Sequence, residues 1–504
     1  MPVSLRNPLT RAERTGYSET STHSDVMAFI DMLRVASDDR LCVTDFGSTP
    51  EGRLLPLLVL SNHRCFTPQE ARASGLPVVL IQCGIHAGEV EGKEAALMLV
   101  RDILLGRHGS LLDRATLLVV PLFNADGNDR MDMEHRKLDI GQLSGQLGNV
   151  AVGTRENAVG INLNRDYMRQ EAAEMRLMQS RICHPWNPHL VIDCHTTNGS
   201  IHRFAMTYDI PHVVESARRE PIEYMRSQMM PAVQSAVKAW DGLDSFWYGN
   251  FLRDEGGEGL GWITYPHYPR FGGNYRGLTN RLDLLLETYS YLPLSERVRA
   301  TYAFLRESLR YVAARAEEII ALLKGCVEPP QRVAVRYRQE AFAERTATIL
   351  TRDPYALDGA PIEMRVPYWA NFVSEHSVAR PLAYAMPPHI ADHLLAHGLH
   401  VEPEESASVI AEIATVRGEL FVTGPRILES AGVAHLDVDF CTVKRALPPG
   451  WRLVYTAQQR GAIAVYLCEA GSDDGIIESG LIQRPQAGAE FPAWRVLDID
   501  QSAV

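Results

Sequence analysis

Through the first 325 residues, short apolar runs alternate with amphipathic stretches, the pattern of strands interleaved with helices. Val26, Phe29, Ile30 and Leu33 recur at helical spacing, and the stripe stops before Asp38-Asp39. Residues 41–46 and 54–60 read as a hairpin around a turn-rich segment at 47–53. Residues 78–83 are apolar apart from Gln82 and are bounded by Pro77 and Gly84, as expected of a buried strand. Leu97, Val100 and Leu104 predict that a helix follows. The buried-strand signature returns at 115–122, 190–195 and 282–287, and a helix is expected from Asp166 to about Arg181. Residues 1–23 read as irregular, 124–127 as a turn and 128–160 as a long loop. Val298, Tyr302, Leu305, Leu309, Val312, Ala316, Ile319 and Leu323 predict one long helix that Gly325 can end.

Val327-Glu-Pro-Pro330 reads as a linker, and beyond it the pattern changes. Short β-rich runs occupy 409–414, 419–422, 434–443, 451–455 and 462–466, after a helix at 390–397. The expected fold class is α/β: a doubly wound mixed sheet with helices on both faces at residues 1–325, and a smaller β-rich C-terminal domain at 331–504.

Composition narrows the partners. At 46% apolar and 22% charged residues the chain is ordinary for a globular protein. A net charge of −12 argues against nucleic acid and against a basic membrane-binding face. Its eight cysteines are scattered with no C-x-x-C pair, no run approaches membrane-spanning length, and the first residues lack an apolar leader core. A cytoplasmic protein with reduced thiols is expected, and homo-oligomerisation is left open.

The chemistry gathers at strand ends. His86 and Glu89 follow the run at 78–83, His195 ends the run at 190–195, and Glu287 ends the run at 282–287. Polar groups at the ends of buried strands face the cleft of an open α/β sheet. Two histidines and a carboxylate supply three ligands for a cation and leave a fourth position open, with a second carboxylate as base. Taken singly, His195 reads as a satisfied buried histidine, and Glu287 as a charge leaving the core.

In order along the chain, His86-Ala-Gly-Glu89, Asn124-Ala-Asp-Gly127, Arg155-Glu-Asn-Ala-Val-Gly-Ile-Asn-Leu-Asn-Arg165, His195 and Glu287 resemble the motifs of the zinc carboxypeptidases. The likeness spans roughly residues 40 to 325. Leu9-Thr-Arg-Ala-Glu13 and the β-rich C-terminal region look like a bacterial branch with an appended domain. The resemblance implies a zinc-carboxypeptidase-like fold and one Zn²⁺ per chain held by His86, Glu89 and His195. It implies Glu287 as general base and then acid, Arg155 polarising the scissile carbonyl, and Asn164 with Arg165 holding a terminal carboxylate. Tyr265, Arg270 and Tyr275 are candidates for further substrate contacts; Tyr268, Arg276 and Arg281 are rivals nearby.

The implied activity is a zinc-dependent metallocarboxypeptidase acting on the C-terminal amide bond of a peptide or peptide-like substrate. Two alternatives are an N-acyl amino acid deacylase of the aspartoacylase and succinylglutamate desuccinylase type and a catalytically inactive binding protein of the same fold. Two departures stand out. Ala125 replaces a proline of the pattern, and Asn162 replaces an aspartate that partners the first zinc histidine, a task Asp193 is an alternative to fill.

Overall fold

A computed structural model describes residues 7–37, 39–253, 259–353, 355–403, 408–421 and 434–500. The expectations for the first six residues and for the end of the run at 419–422 lie outside these.

The centre is an eight-stranded mixed sheet. Its strands are β1 (Leu41–Ser48), β2 (Leu54–Leu60), β3 (Val78–Cys83), β4 (Thr116–Val120), β5 (Leu190–Thr196), β6 (Met206–Asp209), β7 (Ser245–Trp247) and, after β8 (Asn250–Arg253) and β9 (Gly259–Ile263) of another sheet, β10 (Leu282–Thr288). They lie in the order β1-β2-β4-β3-β5-β10-β6-β7. β4, β3, β5 and β10 run parallel, whereas β1, β2 and β6 pair antiparallel with their neighbours or with the parallel block. Every residue of β3 and β5 is buried, so helices and loops cover both faces, as near-continuous apolar parallel strands require.

β3 ends at Gly84, whose φ of 69° is left-handed, and a Cβ there would stand 3.3 Å from a Leu122 methyl. The helix Glu91–Leu104 begins a few residues later with Glu91 and Glu94 in its first turn and Arg101 in its last, the arrangement its dipole favours. It lies close on β5: a Cβ on Gly92 would be 2.5 Å from Cys194 Cβ.

Several expected elements differ. The helix expected from 166 starts at Ala173, because the Asp166 carboxylate accepts from the backbone N–H groups of Glu171 (3.0 Å) and Ala172 (2.9 Å) and holds the chain in a loop. Asn124-Ala-Asp-Gly127 opens a short helix, Ala125–Asp129, with Asn124 as its N-cap. The long apolar stripe is two helices, Leu294–Ala314 and Ala316–Lys324, interrupted at Arg315. The run at 462–466 is part of a helix, Gly461–Cys468, not a strand. It is buried on every side, so no polar face reveals its period.

Beyond the linker, two long strands escaped the pattern: β11 (Arg332–Asp353) and β12 (Ala360–Ala379). They form a four-stranded sheet, β11-β12-β9-β8, in which Trp262 and Ile263 of β9 register with Tyr368 and Trp369 of β12. Strands from both sides of the linker therefore share one sheet and one apolar core. A six-stranded sheet completes the fold, in the order 402–403, 452–455, 383–386, 494–500, 408–421 and 434–446.

Candidate metal centre

His86 and Glu89 sit on the short turn between β3 and its helix, and His195 lies one residue before the end of adjacent β5. Glu287 registers with His195 across the parallel pair β5–β10. The open end of the sheet thus collects all four side chains, and they line one cavity of about 500 Å³.

His86, Glu89 and His195 are the one group of three or more His, Cys, Asp or Glu residues, among those described, placed to share a cation. His86 Nδ1 lies 3.2 Å from Glu89 Oε1, His195 Nδ1 lies 3.0 Å from Glu89 Oε2, and the two Nδ1 atoms stand 3.2 Å apart. Tetrahedral zinc, with bonds of about 2.0–2.1 Å to nitrogen and carboxylate oxygen, asks for ligand separations of about 3.3 Å. The donor set fits: two imidazoles and one carboxylate, all buried.

The surrounding bonds fix which atoms face the site. His86 Nε2 donates to Asn162 Oδ1 at 3.1 Å, while Arg155 Nη1 donates to His86 Nδ1 at 3.2 Å. The Nδ1 lone pair therefore points into the cavity. Burial pushes the His86 imidazole down to about 4, opposed by Glu89 and aided by Arg155. On His195, burial also pulls downward, but Asp193 and Glu89 outweigh it and hold the imidazole well above its ordinary value. His195 Nε2 faces Asp193 Oδ1 at 3.4 Å. Asn162 thus keeps its place beside His86, and Asp193 serves the other histidine.

Glu89 is also held by Thr196 N (3.1 Å) and Arg136 Nη1 (3.0 Å). Burial counts against its charge, yet His86, His195 and Arg136 leave the carboxyl well below the usual range. At Glu287 burial outweighs its cationic neighbours. Burial lifts it to about 8, with His195 opposing and Glu89 adding to the rise.

Arg155, Asn164, Arg165 and Tyr265 line the same cavity. Arg155 also reaches Glu89 Oε1 at 3.4 Å. Asn164 Oδ1 accepts from Gly272 N at 2.9 Å, and the Arg165 guanidinium lies 3.9 Å over the Phe271 ring. Arg270 and Tyr275, expected as substrate contacts, do not line this cavity. The Arg270 guanidinium is tied to Asp474, 2.7 Å away, and the buried Tyr275 hydroxyl meets His397 Nδ1 at 2.8 Å.

Sequence reasoning missed Arg136 and Tyr248, which line the cavity too. Arg136 comes from the long loop and packs over Gly88, where a Cβ would be 2.9 Å from its Cδ. Neither carried a local signal; only the missing side chain at Gly88 hinted at a visitor. Arg276, a nearby rival in sequence, is buried in an ion pair with Asp283 and bonds Asp193 at 2.8 Å.

Residues 26–187 match the profile of the family described as zinc carboxypeptidase. The match stops short of His195 and Glu287, which join the site through geometry. Carboxypeptidase 2 of Trichophyton rubrum is 22% identical over 487 residues, covering 88% of this chain and 81% of that protein. A metallo-carboxypeptidase structure from Burkholderia cenocepacia has a TM-score of 0.42 at 18% identity, covering 59% of this chain and 70% of its own. One from Pseudomonas aeruginosa, in complex with (2-guanidinoethylmercapto)succinic acid, has a TM-score of 0.40 at 15% identity, covering 60% and 70%.

Proposed function

For a chain whose residues 26–187 match the zinc carboxypeptidase family, we propose a zinc-dependent metallocarboxypeptidase that removes the C-terminal residue of a peptide or peptide-like substrate. The observation that carries the reading is the convergence of His86 Nδ1, His195 Nδ1 and the Glu89 carboxylate in a cavity that Glu287 also lines.

His86, Glu89 and His195 would hold one Zn²⁺, and Asn162 and Asp193 would orient the two imidazoles from behind. When bound, zinc supplies the Lewis acidity that makes water a nucleophile at neutral pH. Glu287 takes the proton from the attacking water and returns it to the leaving amine. Arg155, about two-fifths exposed beside the ligand atoms, meets the charge that grows on the scissile carbonyl oxygen. Asn164 and Arg165 receive the terminal carboxylate; the Phe271 ring beneath Arg165 keeps its guanidinium flat and aimed. No helix among the described residues is long and apolar enough to cross a membrane.

The test is zinc content of protein purified without chelator, with a mixed library of short peptides and N-acyl amino acids followed by mass spectrometry. About one zinc per chain and loss of single C-terminal residues are expected. Cleavage confined to N-acyl amino acids would move the chain to the deacylases, and metal-free, inert protein would make it a binding module.

A further inference from the structure

We propose that Asp473 and Asp474, far along the C-terminal segment, set the substrate-holding wall of the cavity and are positioning residues for binding. The inference rests on the peptidase reading for its kinetics, but not for its structural part.

That wall is one stretch of chain. Tyr265 and Pro266 line the cavity, then Phe271, Gly272 and Gly273. Between them lie His267 and Arg270, and each is fastened to one of two adjacent buried aspartates. His267 Nε2 donates to Asp473 Oδ2 at 2.6 Å. Asp474 takes both the backbone N–H of Arg270, at 2.6 Å, and its Nε, at 2.9 Å. A bond from a backbone N–H fixes the path of the main chain, and Phe271 is the next residue.

The aspartates are anchored in turn. Asp473 accepts from Tyr466 OH at 2.6 Å and from Tyr337 N at 3.3 Å, and its own N–H donates to Val335 O at 3.0 Å. β11 and the helix Gly461–Cys468 therefore carry the clamp. On the cavity side, Phe271 supports Arg165, and Gly272 N holds the Asn164 side chain. The line from Asp474 through Arg270 and Phe271 ends at the groups that receive a substrate carboxylate, none of which belongs to the C-terminal segment. The metal-site side chains and Glu287 hang from β3, β5 and β10 or the turn after β3, and the contacts of Asp473 and Asp474 named above reach none of them.

Loosening the clamp should thus weaken binding while sparing zinc and chemistry. In D474N the carboxamide keeps one acceptor and loses the ion pair. Two readouts are taken on the full chain: amide hydrogen exchange across residues 264–273, and KM and kcat for a peptide the wild type trims. The proposal expects faster exchange in that stretch with β10 and the helix Glu91–Leu104 unchanged. It also expects a rise in KM of about tenfold with kcat held within about twofold and zinc content unchanged. D474E should recover part of the KM. Unchanged exchange overturns the clamp; faster exchange with an unchanged KM, or equal loss in kcat, overturns the positioning role. If D474N does not fold, R270Q, whose side chain is about one-third exposed, is read the same way. A wild type that trims no peptide overturns the peptidase reading alone, because exchange still decides the clamp.

Discussion

His195 Nδ1 lies 3.2 Å from His86 Nδ1 and 3.0 Å from Glu89 Oε2. With the His86 lone pair turned inward by Asn162 and Arg155, a proton on His195 stands where a cation would. On the proposed reading, zinc would have to displace it. Glu287, raised to about 8 in the metal-free protein, also holds a proton at pH 7, and a dication nearby favours its release. Zinc binding at pH 7 is expected to liberate about one to two protons per site. Calorimetry in buffers of different ionisation enthalpy measures this; an apparent enthalpy independent of buffer would refute the protonated resting state.

Glu287→Gln keeps the shape and removes the base. Turnover should fall by about 10² to 10⁴ with zinc content unchanged, since Glu287 is not among the three clustered ligands. The wild-type rate should also fall on the acid side, because as a base Glu287 would act only when ionised. With zinc bound that limb lies below the metal-free value of about 8. A Gln variant that loses its metal would make Glu287 a ligand.

Asn162→Asp tests the departure behind His86. Asn162 Oδ1 accepts from His86 Nε2 and also from Asn164 N at 3.0 Å, so an aspartate can fill both bonds and add a charge. Zinc affinity should rise by about 10- to 100-fold, read by competition with a chromophoric chelator. An unchanged affinity would mean that Asp193, through His195, already supplies the needed basicity.

Gly92→Ala probes the packing beneath the ligands. The new methyl would meet Cys194 Cβ at 2.5 Å, next to His195 in a fully buried strand. The helix and β5 would have to part, at a cost of about 1–3 kcal/mol despite alanine's better helix propensity. Thermal unfolding reads this as a lower Tm; a Tm at or above the wild-type value would show that the helix yields without strain.

The central sheet was legible because buried parallel strands write themselves as unbroken apolar runs, β5 and β10 end in polar residues, and β3 runs into a turn that carries two more. His86, Glu89, His195 and Glu287 were readable for that reason. Arg136 was not: it reaches the site from a loop whose sequence has no period, through packing over Gly88 and bonds to Glu89 and the Thr196 and Thr197 carbonyls. The strands β11 and β12 were hidden by exposed, charged faces, and the helix Gly461–Cys468 by having no exposed face. The apolar and polar neighbours of Arg270 gave no hint of Asp474, since an ion pair between distant residues leaves no mark on either local pattern. It is this pair that turned a candidate substrate contact into a structural tie.

The pairing of β9 with β12 sets a timetable for a chain made from its N-terminus. The ribosome delivers His86, Glu89, His195 and Glu287 early, yet the wall opposite them waits for β11, β12 and then Asp473 and Asp474. If the full chain trims peptides, a chain stopped at residue 330 should not, which its translation and assay would show. Under the peptidase reading, such a chain would stay silent during its own synthesis until residues 473 and 474 had emerged.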